Sequence, residues 1–473
     1  MKIRTLRCAS SFLPRCRLTT SIIACAFAAG STLVAFPLHA QDIPPESAGL
    51  DRLVARTIAA NPDFAAARSR ALAMRARIAP AGARPDPMLM AGIINVPINN
   101  FSFSDDDMTM KMIGLSQTIP YPGKLRLART IAELQAAETA VVADSIRLAV
   151  VRGVKNAYYE IAYIDAALEI ASRTDTLAGT VIKAASLRYS AGPGNQQDVL
   201  RANIEASRLN VGANELIERR RALTEKIGAL IADVPPSLTN AAIPARLVRA
   251  AVDSNVSAIS FSSRTLGSSA TAGPLFPLAD LQAFAMTANP QIRRNYAANA
   301  IVAARMELAQ RQHLPDFDFS LQYGQRSGTM RGAGDRPVGR PDMVSFVVSV
   351  PVPLQRASKQ GALVAAARAD IATGESEQRA TEALVRSEVA RVYSDVTRAR
   401  TQLALYVKAL LPQARASLAS AVSGYRSGTS DLSSVLDSQR TLLDMEVGYH
   451  RSMTDFAQGI AELDAMTGQE TLR

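Results

Sequence analysis

Residues 118–130 read TIPYPGKLRLART. The residues just before them, MTMKMIGLSQ (108–117), alternate in side-chain character as a strand does. Proline lacks an amide hydrogen and fixes φ, so Pro120 and Pro122 stop ladder pairing and turn the chain, while a helix tolerates proline at its start. From Lys124 to Tyr189 there is neither a proline nor a cluster of loop residues. As one helix, that stretch reaches roughly 100 Å at about 1.5 Å per residue. The same transition recurs in VSFVVSVPVPLQRASKQ (344–360), where Pro351 and Pro353 form the corner. Each strand-to-helix corner thus predicts a strand that becomes a long helical stave.

The recurrence is general. TIAANPDFAAA (57–67) matches AMTANPQIRRN (285–295), RPDPMLMAG (84–92) matches LPDFDFSLQ (314–322), and QTIPYPGKL (117–125) matches SVPVPLQRA (349–357). VRGVKNAYY (151–159) matches VRSEVARVY (385–393), and RYSAGPGNQQDVL (188–200) matches GYRSGTSDLSSVL (424–436). Landmarks kept in one order define two copies, 41–233 and 278–473, joined by a Pro-, Ser- and Ala-rich connector at 234–277.

Each copy reads alike. Helical turns (46–80 and 278–312) come first, followed by two strands: 87–96 with 108–119, then 316–324 with 342–351 across a Gly/Arg-rich loop at 325–341. The second copy alternates cleanly. Phe317, Phe319, Leu321 and Tyr323 fall on one face, and Asp316, Asp318, Ser320 and Gln322 on the other. Together with Val344, Phe346 and Val348 they form a candidate lipid-facing surface, on strands of membrane-spanning length. A half-buried sheet in a water-soluble protein has the same pattern. Long hairpins follow, 124–231 and 355–467. Their apolar stripes are Val150, Val154, Ala157, Ile161, Ile164, Leu168, Ala171 and Val385, Val389, Val392, Val396, Ala399, Leu403, Tyr406, Leu410, stepping four and three as coiled coils do. The hairpins break at Gly192-Pro193-Gly194 and at Gly428, where second helices, Gln196–Ile231 and Leu432–Thr467, begin.

The first forty residues resemble a secretory signal: Lys2, Arg4, Arg7, Arg15 and Arg17 precede an apolar stretch, Ile22 to Phe36, and PLHAQD offers cleavage after Ala40. IIAC (22–25) also resembles a lipoprotein signal with Cys25 as the lipidated residue, but the apolar run before it is short, and ordinary cleavage is favoured. The three cysteines, Cys8, Cys16 and Cys25, all lie in this segment, so the remainder has no disulfide framework. Net charge is +11, with basic and acidic residues interspersed on helix faces, which argues against nucleic acid as a partner. No later stretch has the apolar length of a transmembrane helix, so any membrane crossing falls to strands.

Four strands cannot close a barrel, and open sheet edges cannot stay in lipid. Two copies of the chain supply eight strands, with an interior filled by side chains; three supply twelve, wide enough for water. At this point the chain resembles the TolC-like outer-membrane efflux factors. The carriers are the duplicated order, LSQTIPYPGKLRLA at the corner, and YSAGPGNQQDVL and YRSGTSDLSSVLDSQ at the hairpin breaks. The resemblance implies a mainly helical fold with membrane β-structure: a homotrimer with a twelve-stranded β-barrel in outer-membrane lipid, continued by a periplasmic α-barrel. It implies a passive exit duct serving a periplasmic adaptor and an inner-membrane pump of the resistance–nodulation–division type. The PYPGK form looks most like the heavy-metal branch, which leaves metal cations or drugs as cargo.

The resemblance also implies site residues. The tips that meet the adaptor would be Gly192, Asn195, Gly428 and Ser430. A gate latch would join Asp198 to Tyr425, with the family's arginine past the second glycine replaced here by Ser430. Asp437 fits the inner position of the family's pore-lining aspartate pair, while Ser434 occupies the outer one. The plain alternative is that Asp198 and Asp437 are exposed acids favoured near helix starts. A coiled-coil scaffold without a channel is the rival function. An enzyme is not expected, and neither is a cofactor or resident metal: His39, His313 and His450 lie in no ligand-spaced cluster, and GAGDRPVG (332–339) sits between strands rather than before a helix.

Overall fold

The computed structural model describes residues 48–98, 106, 108–192, 194–234, 238, 241–252, 276–331, 337–352 and 354–468. The first copy begins with α1 (Ala48–Ala60), α2 (Pro62–Ala76) and α3 (Ile78–Gly82), continues through β1 (Met88–Ile94) and β2 (Met110–Ile119), and ends in α4 (Lys124–Ser190) and α5 (Gln196–Ile231). A short connector helix, α6 (Ala245–Val252), precedes the second copy. There α7 (Leu278–Ala288) and α8 (Pro290–Arg311) lead into β3 (Phe317–Arg326), β4 (Thr329–Arg331), β5 (Pro337–Gly339) and β6 (Met343–Ser349). The last helices are α9 (Ala362–Leu405), α10 (Leu411–Ser427) and α11 (Leu432–Thr467). The expected loop at 325–341 therefore carries a small hairpin, β4 paired with β5. Cys25 and Pro353 lie outside the described residues.

The repeated Asn-Pro pairs have one job in both copies. Asn61 Oδ1 accepts from the Phe64 amide at 2.8 Å, capping α2, and its Nδ2 donates to the Leu230 carbonyl at 2.8 Å. Asn289 caps α8 by accepting from the Gln291 amide at 2.9 Å, and its Nδ2 donates to the Met466 carbonyl at 3.0 Å. Each asparagine thus satisfies an orphan amide at one helix start and an orphan carbonyl at another helix end. Proline follows it because the first helical position needs no donor.

The four long strands form one antiparallel sheet in the order β1-β2-β3-β6. Within each copy the two strands pair, and the copies join through β2 and β3, from Met110 opposite Arg326 to Ile119 opposite Phe317. The sheet is open. Its edges are β1 from the first copy and β6 from the second, and the alternating antiparallel order makes these run in opposite directions.

The helices pack around a core shared by both copies, which includes Val154, Ile161, Ile227, Val389, Val396, Leu403 and Phe456. The stripe of α9 is buried from Val385 to Leu403, and that of α4 from Val150 to Ile164. Beyond Ile164 the buried positions become Ala167 and Ile170 instead of Leu168 and Ala171; these steps of three turn the buried face away from the line that the four-and-three stepping follows. The expected continuous helix past Leu403 is also interrupted. A π-helical turn, Tyr406–Leu410, separates α9 from α10. Pro412 explains it: the ring has no amide hydrogen and clashes with the carbonyl four residues back, at Lys408, so the chain widens there. Another π turn, Arg356–Gly361, starts the second stave after its corner.

Candidate functional site

Register carries the sheet's two-faced character. Leu89, Leu115, Leu321 and Phe346 stand in one row across all four strands, and Ala91, Ile113, Tyr323 and Val344 in the next. Side chains two apart share a face, so Phe317, Phe319 and Val348 join these rows. All seven residues proposed for lipid contact therefore lie on one face. Leu89, Ile93, Ile113, Leu115 and Ile119 extend it through the first copy, where Met88, Met90, Met110 and Met112 on the opposite face obscure the alternation. The face is open: Val344 is 70% exposed and Phe346 66% exposed. Phe319 lies between Phe317 and Phe346, with ring centroids 6.5 and 6.3 Å away. The opposite face carries Gly114, Ser116, Thr118, Asp318, Ser320 and Gln322, and the Thr118 hydroxyl donates to the Asp318 carboxylate.

The first corner is held by residues of the second copy. After Pro120 and Pro122, Gly123 caps α4 with φ of 94°, a left-handed conformation that favours glycine. Lys124 Nζ donates to the Leu314 carbonyl at 2.6 Å and to Asp316 Oδ1 at 2.8 Å, and the Tyr121 amide donates to the same carboxylate oxygen at 2.8 Å. Burial pushes the Asp316 carboxyl up, but these two donors outweigh it and hold it below the ordinary carboxylate range. At the second corner Pro351 is exposed.

At the far end the two hairpins meet. Val181 and Ala185 of α4, Ala202 of α5, and Leu432 and Val435 of α11 form a small separate core, with Tyr425 of α10 packed on it. Gly192 and Gly428 take φ of 95° and 79° and end their helices. Asn195 caps α5, accepting from the Gln197 amide at 3.1 Å. Asp198 is half-buried in the first turn of α5, and no hydrogen bond joins it to Tyr425 within the chain. Instead, Arg188 lies over the Tyr425 ring. Ser430 donates its amide to the Gly424 carbonyl at 3.1 Å. On α11, Ser434 and Asp437 are exposed on one side, opposite the buried Val435 and Gln439.

Sequence reasoning missed a third arrangement, midway along the staves. Glu160 of α4 is nearly buried and takes Arg219 of α5 at 2.6 Å and Arg451 of α11 at 3.0 Å. Nearby, a cleft of about 690 Å³ is lined by Asp165, Glu169, Arg220, Tyr449 and His450. Only the four-apart spacing of Glu160 and Ile164 on the stripe's flank hinted at a charge facing inward. Among the described residues no group of His, Cys, Asp and Glu gathers as a metal site, and no helix is long and apolar enough to cross a membrane.

The family model for outer membrane efflux proteins matches residues 53–232 and 285–469, one stretch per copy. The chain belongs to the outer membrane efflux protein family. The resemblance read from the corners and hairpin breaks is therefore correct, and the place of this efflux protein is the outer membrane. Its fold is similar to that of the outer-membrane channel OprN, with a TM-score of 0.70 and 18% identity over 89% of this chain and 90% of that one. VceC from Vibrio cholerae gives 0.70 and 18% over 90% and 97%. CusC gives 0.69 and 14% over 89% and 92%. At these identities the likeness is one of fold. No curated protein matches the chain in sequence. A single efflux-protein chain contributes a mainly helical body and a small, open four-stranded sheet; the barrel expected from the sequence is not closed within it.

Proposed function

We propose that three copies of the chain close a twelve-stranded barrel in the outer membrane by pairing the β6 edge of one copy with the β1 edge of the next. The staves continue it as a helical barrel in the periplasm. The chain is then the passive exit duct of a tripartite efflux system, receiving cargo from a periplasmic adaptor and an inner-membrane pump of the resistance–nodulation–division type. The observation that carries this reading is the exposed apolar face, two rows of which cross all four strands, and which ends in two unpaired edges of opposite direction. Such edges are not tolerated in lipid unless paired, and opposite direction suits antiparallel closure. Leu321 would face lipid and Ser320 the lumen.

Within this duct the tips around Gly192, Asn195, Gly428 and Ser430 would receive the adaptor. Asp198 and Tyr425 would latch neighbouring staves. Asp437, exposed beside Ser434, would line the pore as a threefold acidic ring that favours cationic cargo, whether metal ions or drugs. Energy would come from the partners. The test compares Leu321→Arg with Ser320→Arg. An arginine on the lipid face costs about 2–4 kcal/mol at the midplane and one on the lumen face little. Loss of heat-sensitive trimers from the membrane fraction is expected for the first variant only. Equal effects would overturn the facing, and a monomer in the parent would overturn the ring.

A further inference from the structure

We infer that Arg188 is a one-way clamp between the two hairpins of each chain, holding the tip of the second hairpin against the first and so setting the resting aperture. The inference rests on the reading of the tips as the gated end of a duct. Arg188 stands in the last turn of α4. Its guanidinium carbon sits 4.7 Å from the centre of the Tyr425 ring, and its Nη1 donates to the Tyr425 carbonyl at 3.1 Å. That carbonyl belongs to the last turn of α10, where carbonyls lack intrahelical partners and the helix dipole attracts a cation. The Gly428 amide shares it at 3.2 Å. Arg188's own carbonyl accepts from the Gly194 amide at 3.0 Å, which closes the first turn. A single residue therefore ties both hairpin turns together, and α10 cannot swing from α4 without giving up the ring contact and the hydrogen bond at once.

The repeat makes the clamp directional. Aligning RYSAG (188–192) with GYRSG (424–428) places Gly424 where Arg188 stands. Glycine offers no side chain to grip with, and a Cβ added at Gly424 would press on the Ser430 side chain. The second hairpin cannot return the grip, so the chain has one clamp and one hairpin tip that is held rather than holding.

The clamp uses the ring and main-chain carbonyl of Tyr425, whereas the latch to Asp198 would use its hydroxyl. A double-mutant cycle separates them. In reconstituted trimers in planar bilayers, Arg188→Ala is expected to raise the open fraction about three- to tenfold, as loss of a partly exposed cation–π contact and one hydrogen bond implies. The same factor is expected in a Tyr425→Phe background, where ring and carbonyl persist, and a clearly smaller rise in a Tyr425→Leu background, where the ring is gone and only the bond to the main-chain carbonyl remains to be lost. An unchanged open fraction with Arg188→Ala, or an equal rise in the leucine background, overturns the clamp. Asp198→Ala, measured alongside, reports the tip gate itself: if it opens the channel while Arg188→Ala does not, the gate stands and the clamp falls. Should Arg188→Ala not assemble, Arg188→Lys, which keeps the charge but loses the fork, takes its place; a smaller rise supports the clamp and parent-like conductance overturns it.

Discussion

Lys124 Nζ lies 2.8 Å from Asp316 Oδ1, an ion pair that joins the strand-to-helix corner of the first copy to the start of β3 in the second. Asp316→Ala leaves Lys124 and the Tyr121 amide with one acceptor fewer. It is expected to cost about 1–2 kcal/mol, the lower part of the range for charged hydrogen bonds because the carboxylate is partly solvated. The loss is read as a lower thermal dissociation temperature in detergent. Because the folded carboxyl is held below its ordinary value of 3.8, its contribution is fully present above that pH. It is lost as pH falls through the lowered value. The difference between parent and variant should therefore be constant from neutrality to about pH 5 and shrink only in stronger acid.

Gly123 and Gly179 predict opposite responses to alanine. At Gly123 the left-handed φ strains any L-residue by about 1–2 kcal/mol, and the new Cβ would press on the Arg311 guanidinium. Gly179, inside α4, has open space around it, so alanine there is expected to stabilise by about 0.5–1 kcal/mol. Calorimetry on the purified protein checks both signs.

Glu160→Gln keeps the shape of the side chain but leaves Arg219 without its counter-charge and Arg451 with Asp455 alone, 2.9 Å away. Removing one partner of a fully buried pair costs about 3–5 kcal/mol. Here both arginines reach solvent, so about 1–3 kcal/mol is expected. The loss should be relieved when Arg219→Gln is added, and an additive double variant would show that the three helices are not coupled through this charge.

His450 predicts sensitivity to mild acid. Burial holds its imidazole below the ordinary 6.5, reinforced by Arg173 and opposed by Glu446 and Glu169. The neutral ring is the stabilising form. Its contribution is fully present above about pH 6.5 and is lost as pH falls through the lowered value. Between pH 7.5 and 5.5 the parent should lose more thermal stability than His450→Gln. A parent that gains stability on acidification would mean that the two glutamates dominate the site.

Local signals were the legible ones. Pro120 and Pro122 mark a corner because proline acts on its own neighbours, and Phe317, Phe319, Leu321 and Tyr323 declare a face because strand periodicity is local. Asn61 and Asn289 were visible as a repeated pair, but their bonds to Leu230 and Met466 depend on helices far along the chain. The pairing of β2 with β3 was not legible, since nothing in either strand names a partner in the other copy. Pro412 was in plain view, but the apolar stripe continues through Tyr406 and Leu410 and so hid the π turn they bound. At the tip, the departure of Arg188 from its repeat position at Gly424 was the available clue; its landing on Tyr425 is a consequence of packing.

The sheet has one edge from each copy, and that has a genetic corollary. Each seam in a closed ring would join unlike edges, so no protomer could mend its own fault. A protomer with a ruined β6 edge would still offer a sound β1 edge to a healthy neighbour, enter the ring, and leave it unsealed. Co-expressed in equal amount with normal chains, it would spoil every assembly it joined, leaving only about one ring in eight free of it under random mixing. Damage to one allele would behave as a poison rather than as a simple loss.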